Sequence, residues 1–352
     1  MRLERIVPGR TPPAALAGAI LTRDLSIAGR RVAKGTRLTP ELLVAIAIEP
    51  AGPAATVLIP EPGDVHEDEA GLRLARAVSG GDPGVTLRGP AQSRVDLVAA
   101  VAGVVAVRLT ALERLNRLDP LEVFTVVDGQ AVEPGDLVAS VKVAPHLVPE
   151  TVLAAGEALA RSSRVPIVRV VPYRGSRIAV VVKGDVAAGA RARFEAAIRA
   201  KAEGLRASIT SLEYVDDEVD AVLAALRRAS ARGPDGRRPD ILLTAGGAST
   251  DPADPFFVAL EALGGRVVRR GVPAHPGSML WLARLGGAAV VGLPSCGAYS
   301  MATAADLLLA RLAAGQPATP ATVARLAHGG ILARSQRFRF PAYARDLDAP
   351  DG

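Results

Sequence analysis

A glycine-rich acidic segment at residues 244–254 contains most of the side chains in this sequence that could do chemistry. It reads Thr-Ala-Gly-Gly-Ala-Ser-Thr-Asp-Pro-Ala-Asp and follows the apolar run Ile241–Leu243. This pattern predicts a buried strand that leads into a glycine loop, with a helix starting near Pro255. Backbone N–H groups of such a loop and helix start can surround an anion. Asp251 and Asp254 add carboxylate oxygens of the kind that hold Mg²⁺.

The segments around this loop predict an α/β domain. Strand-like and helix-like runs alternate from residue 166 to about residue 315. The predicted strands are 167–171, 178–183, 207–210, 241–244, 266–272 and 288–293, and the predicted helices are 187–204, 216–231, 255–263 and 298–314. Alternation at these lengths is typical of a parallel sheet with helices on both faces. Ligands of such sheets lie outside the carboxyl ends of the strands. The loops expected at that edge are 183–185, 244–254 and 292–297, and a fourth loop, 272–278, follows another strand.

The rest of the chain divides into four further segments by composition. We predict an N-terminal α+β segment at 1–60, a small and mainly β module at 61–150, a connecting helix at 151–165, the α/β domain at 166–315 and a partly flexible C-terminal extension at 316–352. The acidic run 61–69 leads directly into a helix-like segment, which favours a helix start over a cation site. For the basic stretch 334–345, a terminal edge strand or mobile tail is favoured over a contact with nucleic acid.

The composition excludes several classes of protein. Hydrophobic residues make up 49% of the 352 residues, so the chain is not disordered and can form two or three domains. The net charge of +6 comes from scattered basic residues without interleaved aromatics, which does not favour nucleic-acid binding. A single cysteine, Cys296, and four widely spaced histidines give no support to a disulfide framework or a thiolate or histidine metal site. We expect a cytoplasmic protein, because neither a signal peptide nor an apolar run of about 18 residues occurs.

Residues 240–315 resemble the molybdopterin-binding domain of the molybdenum-cofactor biosynthesis proteins. More narrowly, they resemble the molybdenum insertases, which are molybdopterin molybdotransferases. The resemblance rests on the order and spacing of motifs that are similar to the family's Gly-Gly-x-Ser, Pro-Gly and Gly-Leu-Pro loops, at 246–249, 276–277 and 292–294. The turn 183–185 stands where the family has a Thr-Gly-Asp-Glu-like turn, with Lys183 in place of the threonine. His275 and Ser278 stand where the family has lysines.

The resemblance implies a substrate and a set of residue roles. The substrate would be adenylated molybdopterin, into which molybdate is inserted with release of AMP and with Mg²⁺ as the metal ion. Asp185 and Asp254 would be catalytic, and Asp251 and Asp254 would hold the metal. The substrate-binding residues would be Thr244, Gly246, Gly247, Ser249, Pro276, Gly277, Pro294, Ser295 and Gly297. A homodimer is implied, together with contacts to other cofactor-maturation proteins or to a molybdoenzyme.

Two other functions remain open at this stage. The departures at Lys183, His275 and Ser278 also fit a divergent, C-terminally shortened relative that carries or senses molybdopterin without catalysis. The same type of domain resembles one in nicotinamide-nucleotide salvage proteins, so a nicotinamide-nucleotide-processing enzyme is a third hypothesis. A dinucleotide dehydrogenase is not favoured, because no GxGxxG motif follows an early strand.

Overall fold

The computed structural model describes residues 1–27, 29–50, 54–247, 249–293 and 301–347. The described strands are β1 (Arg2–Ile6), β2 (Ile20–Leu21), β3 (Leu25–Ile27), β4 (Arg30–Val32), β5 (Ala55–Ile59), β6 (Asp64–His66), β7 (Val85–Ala91), β8 (Arg94–Ala99), β9 (Gly103–Val107), β10 (Leu121–Thr125), β11 (Ala131–Val132), β12 (Leu137–Val143), β13 (Leu147–Pro149), β14 (Val168–Pro172), β15 (Arg177–Lys183), β16 (Ser208–Val215), β17 (Ile241–Ala245), β18 (Arg266–Arg270), β19 (Trp281–Leu285) and β20 (Ala288–Gly292). The described α-helices are α1 (Pro40–Ile48), α2 (Glu67–Ser79), α3 (Leu109–Leu115), α4 (Glu150–Ala160), α5 (Ala188–Gly204), α6 (Val219–Ala229), α7 (Pro255–Ala262), α8 (Ala304–Ala313), α9 (Pro320–Ala324) and α10 (Ala342–Arg345).

Contacts divide the chain into two units. The first contains residues 1–100, 107–126 and 135–169, and the second contains residues 101–106, 127–134 and the chain from Val170 onward. Each unit has its own hydrophobic clusters. The residues predicted to do chemistry all belong to the second unit.

The first unit contains antiparallel sheets and four helices. One sheet has the strand order β1-β5-β2, another has the order β10-β12-β8-β7, and two antiparallel pairs add β3-β4 and β6-β13. Thr39 caps α1 by accepting a hydrogen bond from the Leu42 N–H, with Pro40 at the first helical position. The acidic run ends in the first turn of α2, where His66 Nδ1 accepts from the Asp68 N–H at 3.2 Å. This confirms the predicted helix start.

The second unit is built around a six-stranded sheet with the order β16-β15-β17-β20-β19-β18. The first four strands are parallel, and β19 is antiparallel to both of its neighbours. Helices cover both faces, because α5 and α8 contribute to one apolar cluster and α6 and α7 to another. The predicted α/β fold is therefore confirmed. Strand β19 was not among the predicted strands, and it adds two antiparallel pairs beside the parallel strands.

The C-terminal extension is part of the core of the second unit. Thr319 caps the short helix α9, and 3₁₀ turns at Arg325–Ala327 and Arg334–Arg339 and helix α10 follow. Val323, Leu326, Leu332, Phe340 and Ala344 are buried in the same cluster as α5 and α8. The prediction of an edge strand or mobile tail was therefore wrong for residues up to 347. These residues form short helical turns, and their apolar side chains pack into the core.

Across the described ranges, we find no helix that is both long enough and apolar enough to cross a membrane.

Candidate functional site

The carboxyl ends of the parallel strands bring the predicted loops to one edge of the sheet. Strands β16, β15, β17 and β20 end at Val215, Lys183, Ala245 and Gly292. Strand β18 runs in the same direction as β20, because two antiparallel pairings separate them. The loop from Gly271 to Leu280 therefore opens on this edge as well.

The glycine loop after β17 requires glycine at its first position. Gly246 has a φ of 88°, and a Cβ atom there would lie 2.2 Å from the carbonyl oxygen of Lys183. Gly246 is exposed and Gly247 is half-buried, and a Cβ on Gly247 would lie 3.1 Å from the Phe256 ring. The loop thus offers backbone at the edge without a side chain in front of it, which suits close approach by a ligand.

The substitution Gly246→Ala is expected to lower the free energy of unfolding by more than Gly184→Ala. Both positions have a φ near 90°, so both variants acquire strain of about 1–2 kcal/mol. A Cβ on Gly184 meets no atom within 4 Å, whereas one on Gly246 forces the end of β15 to move. Urea unfolding followed by the fluorescence of Trp281 measures both variants. Equal losses at the two positions would contradict the steric role of Gly246.

Lys183 forms a buried ion pair at the centre of the edge. Its ammonium group lies 2.5 Å from Asp217 Oδ1 and 3.0 Å from Asp254 Oδ2. The Lys183 side chain is only 3% exposed and that of Asp254 is 2% exposed, while Asp217 is 56% exposed. The ammonium also lies 5.8 Å from the centre of the Phe256 ring. One positive charge therefore balances a fully buried carboxylate and reaches a second one at the surface.

The same ion pair makes the stability of the second unit sensitive to alkaline pH. Burial tends to lower the pKa of Lys183, but the hydrogen bonds and charges of Asp217 and Asp254 outweigh it and raise this pKa. Burial and the Asp306 carboxylate raise the pKa of Tyr343 well above its usual value. Both groups hold their proton more tightly when folded. Their contribution is complete below the unfolded pKa values, near 10, and is lost as the pH rises.

We therefore expect the free energy of unfolding to fall above about pH 10, by about 1.4 kcal/mol per pH unit for each group. Urea titrations from neutral to alkaline pH, read by Trp281 fluorescence, measure this slope. The variant Tyr343→Phe should lose the part of the slope that belongs to Tyr343 and keep the part that belongs to Lys183. A stability that is flat across this range would contradict both assignments.

The carboxylates predicted to hold a metal are already engaged in contacts within the chain. Asp254 Oδ1 accepts from the Phe256 N–H at 2.9 Å as the cap of α7, and its Oδ2 faces Lys183. Asp251 is exposed, and its Oδ1 accepts from the Ala253 N–H at 2.8 Å. Within the described ranges, no cluster of three or more histidine, cysteine, aspartate or glutamate side chains could hold a metal. As placed, these donors do not fit Mg²⁺, which remains a prediction from the sequence.

The Pro276-Gly277 turn lies against the start of α8. The Ala304 N–H donates to the Pro276 carbonyl at 3.0 Å, and a Cβ on Gly277 would lie 3.0 Å from Thr303 Cβ. His275 is exposed, but its backbone pairs with the C-terminal extension through Gly330 and Leu332. The turn is thus held on one side by a helix start and on the other by residues beyond 315.

A second buried ion pair fixes the start of α8. Asp306 is fully buried, and its Oδ1 accepts from Lys201 Nζ at 2.5 Å and from the Tyr343 hydroxyl at 3.0 Å. Its Oδ2 accepts from the Thr303 N–H at 2.9 Å and completes a capping box. This network joins α5, α8 and the C-terminal extension at a point that contacts the Pro276-Gly277 turn.

Asp185 lies in a different part of the edge from Asp254. It is exposed and lines a cavity of about 400 Å³ together with Arg191, Tyr214 and Asp216. The Arg191 guanidinium stacks 4.6 Å from the centre of the Tyr214 ring, and its Nε donates to the Val186 carbonyl at 2.8 Å. None of the described glycine-loop residues, 244–247 and 249–254, lines this cavity.

The remaining predicted residues fall into two groups. Thr244 is buried in β17, where its carbonyl accepts from the Leu293 N–H at 2.8 Å, and Ser249 is half-buried in the loop. Pro294, Ser295 and Gly297 lie outside the described residues, as does Cys296. The structure leaves the roles of all these residues untested.

Sequence reasoning missed the partners that surround the predicted residues. Asp217 was placed in a predicted helix, and Lys201 was placed in another without a functional role. The signal that could have found Lys183 was its position at the end of an apolar strand, where an ammonium must be buried. A buried lysine requires a carboxylate, and the acidic loop ends of the neighbouring strands supply one.

The second unit is an α/β domain, and its glycine loop and its Pro276-Gly277 turn lie at the edge of the sheet where the parallel strands end. Residues 179–314 match the family model described as a probable molybdopterin binding domain. This part of the second unit is therefore similar to the molybdopterin-binding domain of that family.

Several solved structures are similar to the chain at low identity. A molybdopterin biosynthesis MoeA protein from Pyrococcus horikoshii is 15% identical with a TM-score of 0.30, over 71% of this chain and 79% of that one. The molybdopterin biosynthesis enzyme MoaB from Thermus thermophilus is 20% identical with a TM-score of 0.27, over 44% and 97%. A molybdenum cofactor biosynthesis protein from Pyrococcus furiosus is 17% identical with a TM-score of 0.24, over 59% and 71%. No curated protein matches the chain.

Proposed function

We propose that the second unit binds adenylated molybdopterin at the carboxyl edge of its sheet and inserts molybdate, with release of AMP. The observation that carries this proposal is the family match over residues 179–314, combined with a glycine loop at the end of β17. In this reaction two Mo–S bonds would form at the dithiolene while molybdate loses one oxygen as water with the two thiol protons, and water would cleave the phosphoanhydride bond to release AMP.

In this proposal the chain's own residues bind and orient the substrate. The exposed backbone at Gly246 and Gly247 would approach the phosphate-bearing part of the ligand. Pro276 and Gly277 would present backbone to the pterin from the neighbouring loop, held by α8. Lys183 supplies positive charge at the edge, where its ammonium group lies 3.0 Å from Asp254 Oδ2.

A second candidate is a molybdopterin carrier without catalysis. The observation that favours it is the engagement of both Asp254 oxygens, by the Phe256 N–H and by Lys183. A carboxylate held in this way caps α7 and balances a charge, and this role requires no reaction. The two candidates share the same ligand and differ only in turnover.

A binding and turnover experiment separates them. Purified protein is titrated with molybdopterin and with adenylated molybdopterin, and AMP is then quantified after molybdate is added. Insertion predicts tight binding and molybdate-dependent AMP, and Asp254→Asn should reduce AMP while Asp251→Asn changes it little. Binding without AMP would establish the carrier, and the absence of binding to either pterin would refute both candidates.

A further inference from the structure

A separate cavity opens at the opposite edge of the sheet, where the parallel strands begin. It has a volume of about 590 Å³ and belongs entirely to the second unit. Strand β17 contains five residues, so the two edges are separated by roughly 16 Å of strand. A ligand in this cavity therefore does not touch the glycine loop.

Arginine side chains dominate the wall of this cavity. Arg174, Arg237, Arg238 and Arg284 line it, and Asp240 is the one acid among its lining residues. These four arginines come from three separate segments of the chain and are all exposed. Charges that converge from different segments on a concave surface focus the field within it.

Most of these guanidinium groups are not used by the fold. Arg238 Nη1 donates to the Ser230 carbonyl at 2.7 Å. Within the part of the chain that the structure describes, the side chains of Arg174, Arg237 and Arg284 make no hydrogen bond or ion pair. Asp240 offsets one of the four positive charges, and its Oδ2 accepts from the Arg177 N–H at 2.8 Å. The N–H donors of three arginines thus remain for a ligand.

Helix ends reduce this positive charge without cancelling it. The C-terminus of α8 faces the cavity, and Arg174 lies directly on Gly315, where a Cβ would be 2.3 Å from Arg174 Cζ. The C-terminus of α6 is contacted by Arg238 through Ser230. Each helix end contributes about half a negative charge. Together with Asp240, they leave an excess of about two positive charges.

We propose that this cavity binds a small polyanion that carries two or more phosphoryl groups. Arginine forks bind phosphoryl oxygens in pairs, and an excess of about two charges matches an anion of that size. The volume suits a small molecule. Among the described residues, no aromatic side chain lines the cavity for base stacking, so a nucleic-acid strand is disfavoured. This site is independent of the proposed function, because it lies at the other edge of the sheet.

Calorimetric titration of the full chain with inorganic tripolyphosphate, in the absence of any pterin, tests this proposal. We expect one site per chain, with binding that weakens as the salt concentration rises. The double variant Arg237→Gln/Arg284→Gln should bind at least about tenfold more weakly, because two charge-assisted contacts are lost. The matched control is Arg193→Gln, an exposed arginine on α5 that does not line the cavity, and its affinity should stay within about twofold.

A parallel titration with ATP distinguishes a site for a phosphate chain alone from a site for a nucleoside phosphate. Equal affinities would assign binding to the phosphate chain, and tighter binding of ATP would assign a contribution to the nucleoside. No binding of tripolyphosphate at low salt, or equal weakening in Arg193→Gln, would overturn the proposal. Tighter binding of a single-stranded oligonucleotide through the same arginines would also overturn it.

Discussion

The substitution Lys183→Met is expected to lower the free energy of unfolding of the second unit by about 3–5 kcal/mol. Methionine is similar in length to lysine and carries no charge, so it leaves Asp254 buried without its ion-pair partner. The Asp254 side chain is 2% exposed and cannot recover this interaction from water. Urea unfolding followed by Trp281 fluorescence measures the loss, because this single tryptophan is buried in the second unit.

Two further variants separate the ion pair from a packing effect. Asp217 is 56% exposed, so Asp217→Asn should cost less than about 1 kcal/mol. Asp254→Asn retains a side chain that can cap α7 but leaves Lys183 without a buried anion. The double variant Lys183→Met/Asp254→Asn should therefore be more stable than the sum of the two single losses predicts. Strict additivity would show that Lys183 and Asp254 do not act as a pair.

The sequence predicts the strands that end at the carboxyl edge, because the apolar pattern of each strand lies within its own segment. Strands β15, β17 and β20 are continuous apolar runs. This pattern is typical of strands that are buried on both faces of a sheet. Strand β19 was not predicted, because only a short interval separates it from the Pro-Gly loop. Its direction depends on its pairing with β20. Tertiary packing determines which strands pair, and the residue pattern of a single segment does not predict that pairing.

The candidate site is predictable in its loops but not in its ionic contacts. Gly246 and the Pro276-Gly277 turn could be found because turn residues have local conformational requirements. The pairing of Lys183 with Asp217 joins residues that are 34 positions apart, and no periodicity links them. The C-terminal extension shows the same limit, because its basic residues suggest an exposed tail while its apolar residues are buried in the core.

The substitution Asp306→Asn is expected to destabilise the second unit by about 3–5 kcal/mol and to weaken ligand binding at the carboxyl edge. The asparagine can still accept from the Thr303 N–H, but Lys201 then remains 2% exposed without an anion. The start of α8 should loosen as a result, and with it the Pro276 carbonyl that accepts from Ala304. Urea unfolding and pterin titration of the same protein measure the two effects.

The variant Tyr343→Phe is the matched control for this network. It removes one hydrogen bond to the same carboxylate and leaves the Lys201–Asp306 ion pair intact, so we expect a loss of about 1.5–3 kcal/mol. If α8 transmits the effect, pterin affinity should fall much more in Asp306→Asn than in Tyr343→Phe. Equal affinities in both variants and the wild type would mean that the network stabilises the core without positioning the turn. A larger stability loss in Tyr343→Phe than in Asp306→Asn would contradict a dominant contribution of the buried ion pair. Tyr343 is the neutral member of the network, whereas Lys201 and Asp306 are charged.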